Sequence, residues 1–574
     1  MWKHKMIIIT LILLATCLLL SACGNETAKL QKENSKPQHV TIQHVTIQHV
    51  VKNGITFSHD SGVYDTAELK VHMKAPQGYT IAFTTNGTKP SSRDASGKPE
   101  LDVTLNRSMS GYLLEHRQQM FCPALPNAVL FQNNSLPAGI VLNTALVDGK
   151  SVVGDKVQTN VYFLQGNFAN RYPNCLIVSV ATDPENLLDY NSGILASGIA
   201  FDEWKNTENA KKLFAEKKWW KFETNSTQRG MEWERLCQIQ IYNNDATGPD
   251  VIMDAGMRIR GGMSSRLGQK SFRFYFREEY GPDRLQYALF DKKEEYKSFS
   301  LRNGGNDTEY LKFKDAFIQD LGRGGNYTVF NTRPAVLFLN GEYWGPYTLV
   351  EELSGKMLQT RFGVDEKMVV AIKEAKVQVG KQEDIKLYDE LRAFADKDLT
   401  DPEIYRQFCD VMDVRSMADY FAMRIYIGDG DWFPDHNHVL WRTRDKSYNG
   451  GRWQYIVHDT EYSAGHYGQK ITAPETDHFR RATKNFPVFG AAIRNKEFYD
   501  LFLRAIKKFG SENYKYSRVQ EKMDSYDKVW APLMPDYYKR FGDTSQRRKD
   551  CMKSTLNFFW KRYDIIIPIV ERWI

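Results

Sequence analysis

The stretch that most constrains this chain runs from Arg424 to Gly465, where acidic residues alternate with two strand-like runs. The runs HVLWR and RWQYIV are apolar and rich in aromatic residues, and a turn-forming segment at 446–451 joins them. A hairpin of these runs would bring the acidic residues before its first strand close to Asp459 after its second. Oxygen ligands gathered in this way suit a hard divalent cation such as Mg²⁺ or Mn²⁺. A surface loop rich in turn formers is the competing interpretation, and spacing alone leaves both open.

The polar residues of this stretch divide into oxygen ligands and histidines. The oxygen ligands are Asp429, Asp431, Asp435, Asn437, Asp459 and Glu461. The histidines are His436, His438 and His458. His436 and His438, at i and i+2, would share one face of an extended strand, and zinc would need three such groups to converge. A metal-dependent hydrolase that uses these histidines, with His466, is therefore one alternative function.

Composition places the chain among ordinary globular proteins. Its 574 residues allow roughly two to four domains. Hydrophobic residues make up 42% and charged residues 26%, and the formal net charge of +7 is mild for this length. No run is basic enough to predict a nucleic-acid partner. The densest basic and aromatic run, AKKLFAEKKWWKF, is interpreted as a solvated helix face.

The N-terminus predicts a secreted, lipid-anchored protein. Residues 1–23 begin with lysines and continue with an apolar run too short for a comfortable transmembrane helix, which is typical of a signal peptide. The run ends Leu-Ser-Ala-Cys and resembles the bacterial lipobox, which implies acylation of Cys23 and a place on the outer face of the cell membrane. Residues 24–51 repeat the motif HVTIQ and predict a low-complexity tether.

The cysteines beyond Cys23 are odd in number, widely spaced and without a CxxC pair. They are Cys122, Cys175, Cys237, Cys409 and Cys551. This pattern argues against a structural zinc site and against a disulfide framework. Buried thiols are expected, with one bridging pair left open.

Residues 52–165 predict an all-β sandwich, because short alternating runs are separated by Gly, Pro and Asn turns. The segment GYTIAFTTNGTKPSSRDASGKPE resembles the chitobiase/β-hexosaminidase C-terminal-type domain, although Asn86 stands where that pattern usually has Asp. Such modules accompany catalytic domains as spacers. The resemblance therefore implies a structural role, with glycan contact as a second role left open.

Residues 166–574 combine strand-like runs with long helical segments. A small-residue loop at 261–265 lies between two strand-like runs, and Lys270 follows it. Backbone N–H groups of such loops hold phosphate, and a following lysine adds charge, although a plain hairpin turn is the competing interpretation. A later strand pair carries the hairpin signal Asn340-Gly341 and ends at Glu351. After Gly465, apolar stripes at i, i+3 and i+4 predict helices.

Five segments of this region occur in the order typical of the CotH kinase family, which this chain resembles. They are GMRIRGGMS with QKS, LRNGGND with Asp315, FLNGEYWGPYTLVEE, GDW with Asn437 and LWR, and the Trp453–Gly465 segment around Asp459. The resemblance implies an α+β, divergent protein-kinase-like domain with a helical C-terminal part. It also implies transfer of the γ-phosphate of ATP to Ser or Thr of secreted or surface proteins.

The resemblance implies roles for individual residues. Asp431 matches the family's catalytic base, and Asn437, Asp459 and Glu461 match or replace its ligands for Mg²⁺ or Mn²⁺. The nucleotide-binding residues implied are Lys270, Glu351 as its partner, Arg260 and Ser264. Asp429 and Asp435 are interpreted as turn residues, and the histidines as neighbours of the site.

Departures from the family pattern leave a second function open. His458 replaces the usual Trp, Glu461 replaces the second Asp, and Phe433 is inserted before Asn437. The set of acidic residues is kept, so an active kinase is the favoured interpretation. A non-catalytic surface-binding lipoprotein with a degenerate kinase-like domain is the alternative.

Overall fold

A computed structural model describes residues 47–49, 53–120, 130–131, 135–154, 157–164, 166–243 and 245–573. The predicted signal peptide, Cys23 and all of the tether except 47–49 lie outside these residues, as does Cys122. The predicted domain boundaries at 51/52 and 165/166 therefore stay predictions. Cys175, Cys237, Cys409 and Cys551 each carry a free thiol.

The region up to residue 164 is rich in β-strands, as predicted. A short helix, α1, spans Tyr112–Glu115. The strands are β1 (Ile47–His49), β2 (Thr56–Phe57), β3 (Gly62–Tyr64), β4 (Glu68–Lys74), β5 (Thr80–Thr84), β6 (Glu100–Asn106), β7 (Gly139–Asp148), β8 (Ser151–Val152) and β9 (Gln158–Leu164). Strands β2 to β9 form a three-stranded sheet, β2-β4-β6, and a second sheet, β3-β9-β7-β5, with β8 on β7.

The two sheets share one apolar core because their strands alternate between buried and exposed residues. In β4, for example, the buried Leu69, Val71 and Met73 alternate with polar residues that are exposed or partly exposed. They pack in one cluster with Ile140 and Leu142 of β7. Two sheets around one core do not identify a particular family of domains, so the chitobiase-type domain stays a prediction.

The next part of the chain builds a central sheet that closes on itself. The strands of this part of the chain are β10 (Leu176–Ala181), β11 (Arg235–Asn243), β12 (Val251–Arg260), β13 (Ser271–Tyr275), β14 (Leu285–Tyr287), β15 (Glu294–Tyr296), β16 (Ser298–Arg302), β17 (Thr332–Leu339) and β18 (Glu342–Glu351). The order is β1-β12-β11-β10-β17-β18-β16-β13, and β13 also pairs with β12, while β14 and β15 form a separate ribbon. The predicted Asn340-Gly341 turn joins β17 to β18, with positive φ at both residues.

Side-chain alternation gives this closed sheet an apolar face and a polar face. Phe272, Phe274 and Leu301 lie in one buried cluster, to which strands β10–β13 and β16–β18 all contribute residues. Their neighbours in sequence point the opposite way. Toward one end of β12, β13 and β16, the residues of opposite parity include Arg258, Arg260, Ser271, Arg273, Ser300 and Arg302. The polar face is therefore cationic.

A smaller sheet, β20-β19-β21-β22, carries the stretch on which the sequence analysis began. Its strands are β19 (Val369–Lys373), β20 (Lys376–Val379), β21 (Val439–Thr443) and β22 (Gln454–Ile456). β21 and β22 pair antiparallel, with Val439 opposite Ile456. The predicted hairpin is confirmed, and it places the loops before β21 and after β22 side by side.

Helices surround these sheets and form the C-terminal part, as predicted. Before β21 they are α2 (Phe168–Arg171), α3 (Pro184–Leu188), α4 (Gly198–Trp204), α5 (Glu208–Ala215), α6 (Lys314–Leu321), α7 (Gly355–Phe362), α8 (Ile385–Arg392), α9 (Pro402–Val411) and α10 (Val414–Tyr426). After β22 they are α11 (His478–Asn485), α12 (Pro487–Ala492), α13 (Lys496–Lys508), α14 (Tyr516–Trp530), α15 (Met534–Phe541) and α16 (Ser545–Glu571). Within the described ranges, none of the helices combines the length and apolarity needed to cross a membrane.

Candidate active site

A cavity of about 930 Å³ lies between the cationic sheet face and the two loops of the β21–β22 hairpin. This volume is typical of pockets for small-molecule ligands. Six of the predicted site residues line it: Arg260, Ser264, Asp431, Asn437, Asp459 and Glu461. Residues that lie far apart in sequence thus meet in one cavity. Their individual roles stay predictions.

Arg302 at the end of β16 connects the acidic residues of the cavity. Its guanidinium donates to Asp315 Oδ2 at 2.6 Å, Asp459 Oδ1 at 2.9 Å and Glu461 Oε1 at 3.2 Å. Asp315 on α6 also accepts from the Thr460 backbone N–H at 2.8 Å, which holds the loop between the two acidic residues. Sequence reasoning missed Arg302, although its place beside the buried Leu301 indicates the opposite sheet face.

The same contacts shift the pKa values of Asp459 and Glu461 in opposite directions. Burial alone would raise the pKa of Asp459, but the Arg302 guanidinium outweighs it and holds that pKa well below its usual range. Burial and the neighbouring Asp459 charge raise the pKa of Glu461 well above its usual range. A Cβ on Gly305 would collide with Glu461 Oε1, and Gly305 has φ +61°. Glycine at 305 thus lets the backbone approach this carboxylate.

Arg424 at the end of α10 positions both loops from behind. Its buried side chain donates to the backbone carbonyls of Asn437 and Asp459, each at 3.2 Å, and to that of His458. Its counter-ion is Asp429, which is equally buried. The interpretation of Asp429 as a turn residue is therefore wrong, because it compensates a charge inside the protein.

Burial raises the pKa of Asp429 to about 6, even though Arg424 acts in the opposite direction. Asp429 Oδ1 also accepts from the Asp431 N–H at 3.1 Å. The buried ion pair thus reaches the backbone of the predicted catalytic base.

The loop before β21 orients Asp431 and Asn437. Asp431 Oδ2 lies 3.2 Å from His436 Nε2, and both side chains are partly exposed. Asn437 Nδ2 donates to the Asp431 carbonyl at 2.9 Å, which leaves Oδ1 of the amide to meet a ligand. Asn437 has φ +56°, a left-handed conformation that Asn tolerates better than most residues.

This left-handed residue separates the two histidines that were expected to share one face. His436 lines the cavity of about 930 Å³, whereas His438 is buried and lines a second cavity. His458 lines the first cavity, and its Nε2 lies 3.3 Å from Lys373 Nζ. Three histidines therefore do not converge as zinc requires, because the chain between 436 and 438 is not extended.

The structure separates Lys270 and Glu351 from the cavity and from each other. Lys270 has the strand parity of Phe272, so it points away from Ser271 and the cationic face, and its Nζ donates to the Leu267 carbonyl at 2.9 Å. Glu351 pairs with Arg361 on α7. Strand parity turns both side chains away from the polar face, and each has another partner, so the predicted Lys270–Glu351 pair is wrong.

Glu352, one residue beyond Glu351, faces the polar side instead. It pairs with Arg260 at 3.0 Å and Arg273 at 3.4 Å and accepts from Ser300. The acidic partner of the cationic face is therefore the second of the two adjacent glutamates. Arg260, which was predicted to bind the nucleotide, has this glutamate as its own counter-ion.

Lys373 at the end of β19 lines the cavity, and sequence reasoning missed it. Burial lowers its pKa, and its Nζ lies 3.7 Å from Glu374. A sequence signal existed, because residues 370–373 read V-A-I-K, the strand signature of protein kinases whose lysine contacts ATP phosphates. The structure places this tetrapeptide on β19, which borders the cavity.

The basic and aromatic run near residue 215 also reaches the cavity. Trp219, Trp220 and Lys221 line it, and the Trp220 side chain remains 42% exposed. The interpretation of this run as a solvated helix face is therefore wrong for these three residues. They lie beyond α5 and place aromatic surface beside the 261–265 loop.

The oxygen-rich side of the cavity fits a divalent cation better than the histidines fit zinc. The Asn437 amide and the Asp459 carboxylate both line the cavity, and Mg²⁺ takes one or two carboxylates beside phosphate oxygens. A separate buried group, Asp307, His466 and Cys551, has ligand atoms within 4.8 Å of one another. Both Asp307 oxygens already accept backbone N–H groups of Leu311 and Lys314. That group is explained as structural.

Comparison with known proteins adds one positive finding. The family model described as CotH kinase protein matches residues 257–565, which is more than half of the chain. The match covers both loops of the cavity, the cationic strands β13 and β16, and most of α16. A search of curated proteins finds no match. The sequence match and the converging cavity residues agree, and the chain belongs to the CotH kinase family.

Proposed function

We propose that this protein is a kinase that transfers the γ-phosphate of ATP to Ser or Thr hydroxyls of surface or secreted proteins. One observation carries the proposal: a cationic sheet face and a set of carboxylates, joined through Arg302, line the same cavity. Phosphoryl transfer requires positive charge on the phosphates and a carboxylate that orients the acceptor hydroxyl. Membership of the CotH kinase family supports the same chemistry.

In this proposal the polyanionic nucleotide lies against the cationic face. Arg260, Arg302 and Lys373 compensate phosphate charge, and the N–H groups of the loop around Ser264 add donors. Trp220 offers a flat aromatic surface on which a base can stack. Asp431 accepts a hydrogen bond from the substrate hydroxyl and receives its proton as the phosphoryl group transfers.

Asn437, Asp459 and Glu461 would hold Mg²⁺ or Mn²⁺, which would supply positive charge against the phosphates of ATP. The protein's own contribution is to keep these oxygens on one wall. Arg302 fixes Asp459 and Glu461, and the Asp431 carbonyl fixes the amide of Asn437.

Lys373→Met should raise the KM for ATP about tenfold or more, because a charge-assisted hydrogen bond contributes about 1.5–3 kcal/mol. Lys376→Met is the matched control, since Lys376 is exposed on β20 three residues away. Steady-state kinetics with varied ATP separates the two variants. Equal KM values for both would remove Lys373 from the nucleotide site.

The N-terminal part of the proposal concerns location. A signal peptide of residues 1–23, a lipid on Cys23 and a tether at 24–51 would hold the catalytic region outside the cell membrane. Residues 52–165 would form a chitobiase-type β-sandwich that acts as a spacer or contacts glycans. Metabolic labelling with an alkyne fatty acid tests the anchor. Label on the wild type that disappears in Cys23→Ser supports it, whereas label on both or on neither contradicts it.

The function is tested with the full chain, γ-labelled ATP, Mg²⁺ and the secreted proteins of the source organism. Label on Ser or Thr that disappears with EDTA supports the kinase. Phosphate release without protein labelling supports a hydrolase. Absence of nucleotide binding supports the alternative of a non-catalytic surface-binding lipoprotein.

A further inference from the structure

One wall of the cavity of about 930 Å³ carries two basic side chains that the proposed nucleotide contacts do not use. They are Lys221 and Arg229. Lys221 also lines a neighbouring groove of about 400 Å³, together with Lys218 and with Lys212 on α5. Because the cavity and the groove share Lys221, positive charge continues from the cavity to the surface of the protein.

The segment that carries these side chains has more positive charge than its own carboxylates compensate. Residues 205–229 contain seven Lys or Arg and three Glu. The ion pairs are Lys205 with Asp202, Lys211 with Glu208 and Lys218 with Glu216. The exposed cations of the segment that have no ion-pair partner among the described residues are Lys212, Lys217, Lys221 and Arg229. These four charges are available to an anion from outside the chain.

Three lysines surround Glu216, which is the only acid among the described residues that line the groove. Lys218 Nζ lies 2.7 Å from its carboxylate. Lys218 lowers the pKa of Glu216, and the charges of Lys212 and Lys221 act in the same direction. All three ammonium groups therefore act on one carboxylate, and an excess of positive charge remains in the groove.

Arg229 also lacks a carboxylate partner within the described ranges. Its guanidinium donates to the backbone carbonyl of Gln228 at 2.7 Å and to that of Gly261. These bonds hold the side chain beside the 261–265 loop but leave its charge uncompensated. Burial lowers the pKa of Arg229, and the nearby charge of Arg258 acts in the same direction. A carboxylate at this place would compensate the charge and suit the fork of donors on the guanidinium.

We propose that Lys221 and Arg229, with Lys212 at the outer end of the groove, bind acidic side chains of the protein substrate. The kinase would thus select a Ser or Thr that lies near Asp or Glu. Asp431 lines the same cavity, which at this volume is on the order of 10 Å across, the length of about three extended residues. We therefore expect the acidic residue about three positions from the acceptor. The choice of acceptor rests on the proposed function, whereas binding of the acidic segment does not.

The shape of this site favours a peptide over an anionic membrane surface. A bilayer attracts basic residues that its flat surface of headgroups can reach. Lys221 and Arg229 line a concave cavity, which an extended chain can enter and a bilayer cannot. The acidic partner is therefore a segment of protein.

The test compares two short peptides that differ only about three positions before and after one Ser, where one peptide has Asp and the other Asn. Fluorescence polarisation measures binding of the labelled peptides to the full chain without ATP, and initial rates with ATP and Mg²⁺ give the KM of each. At an ionic strength of about 0.01 M we expect the Asp peptide to bind about fivefold more tightly and to have a KM lower by a similar factor. The difference should disappear at about 1 M salt, where the Debye length is about 3 Å.

Lys221→Met combined with Arg229→Met should remove the difference between the two peptides. Lys211→Met is the matched control and should keep it, because Lys211 lines neither the cavity nor the groove and already pairs with Glu208. If the double variant does not fold, the wild-type comparison of the two peptides still decides. Lys221→Glu provides a second variant, which should bind a peptide with Lys at the tested positions more tightly than the Asp peptide.

Three results would overturn the proposal. They are equal affinity of the wild type for the Asp and Asn peptides, a preference that the double variant keeps, and binding of phosphatidylglycerol vesicles through Lys221 and Arg229 in place of the Asp peptide. Failure of the proposed function gives a different result. Tighter binding of the Asp peptide without transfer of phosphate would support the acidic-segment site and contradict the kinase.

Discussion

Asp431→Asn should lower kcat for protein phosphorylation by about 10²–10³-fold, the usual range for removal of a positioned general base. The substitution keeps the size of the side chain and removes its ability to take the proton. The loop should stay in place, because Asn437 bonds to the Asp431 backbone carbonyl and Asp429 to its N–H, and both contacts survive. The KM for ATP should therefore change little.

Asp435→Asn is the matched control for this experiment. Asp435 lies four residues further along the same loop and is exposed, so its substitution should leave kcat within about twofold of the wild type. The measurement is initial-rate labelling of a fixed protein substrate at saturating ATP. A residual rate above a tenth of wild type for Asp431→Asn would contradict the role of Asp431 as base.

Arg424→Met should destabilise the protein by about 3–5 kcal/mol, the usual cost of breaking a buried ion pair from one side. The variant leaves the Asp429 carboxylate buried without its counter-ion, and it removes donors to the carbonyls of Asn437, His458 and Asp459. The loops that carry the predicted metal ligands lose their common support. We expect a lower urea midpoint together with loss of phosphate transfer.

Two further variants identify the cause of that loss. Arg415→Met removes an exposed arginine from the same helix and should move the midpoint very little. Arg424→Met combined with Asp429→Asn removes both buried charges, and the double variant should recover part of the stability but not the transfer activity. If the double variant is no more stable than Arg424→Met, the uncompensated Asp429 charge is not the source of the loss.

The elements that sequence predicted best are those set by short-range patterns. The Asn340-Gly341 turn and the hairpin of β21 and β22 formed as expected, because turn chemistry and strand alternation are local. The helices after Gly465 followed their apolar stripes. The convergence of Asp431, Asn437 and Asp459 followed from the hairpin alone.

The errors arose where a single residue step or a long-range contact decided the outcome. Lys270 and Glu351 each have a neighbour, Ser271 and Glu352, that faces the polar side, and a strand reverses its faces at every residue. The left-handed backbone at Asn437 separated His436 from His438. The same residues at the same spacing are compatible with either strand face and with either backbone conformation at Asn437. Residue spacing therefore could not predict which one forms.

By itself the sequence determined the β-rich first part, the helical end and which residue types form an oxygen-rich site, since periodicity and turn residues act over a few positions. Only the tertiary structure decided which arginine side chains contact the acidic residues and the loops of that site. Arg302 reaches Asp459 and Glu461 across more than 150 residues of chain, and Arg424 supports both loops from the protein interior. The physical reason is that a buried carboxylate must find its counter-charge in space, and sequence distance does not enter that requirement.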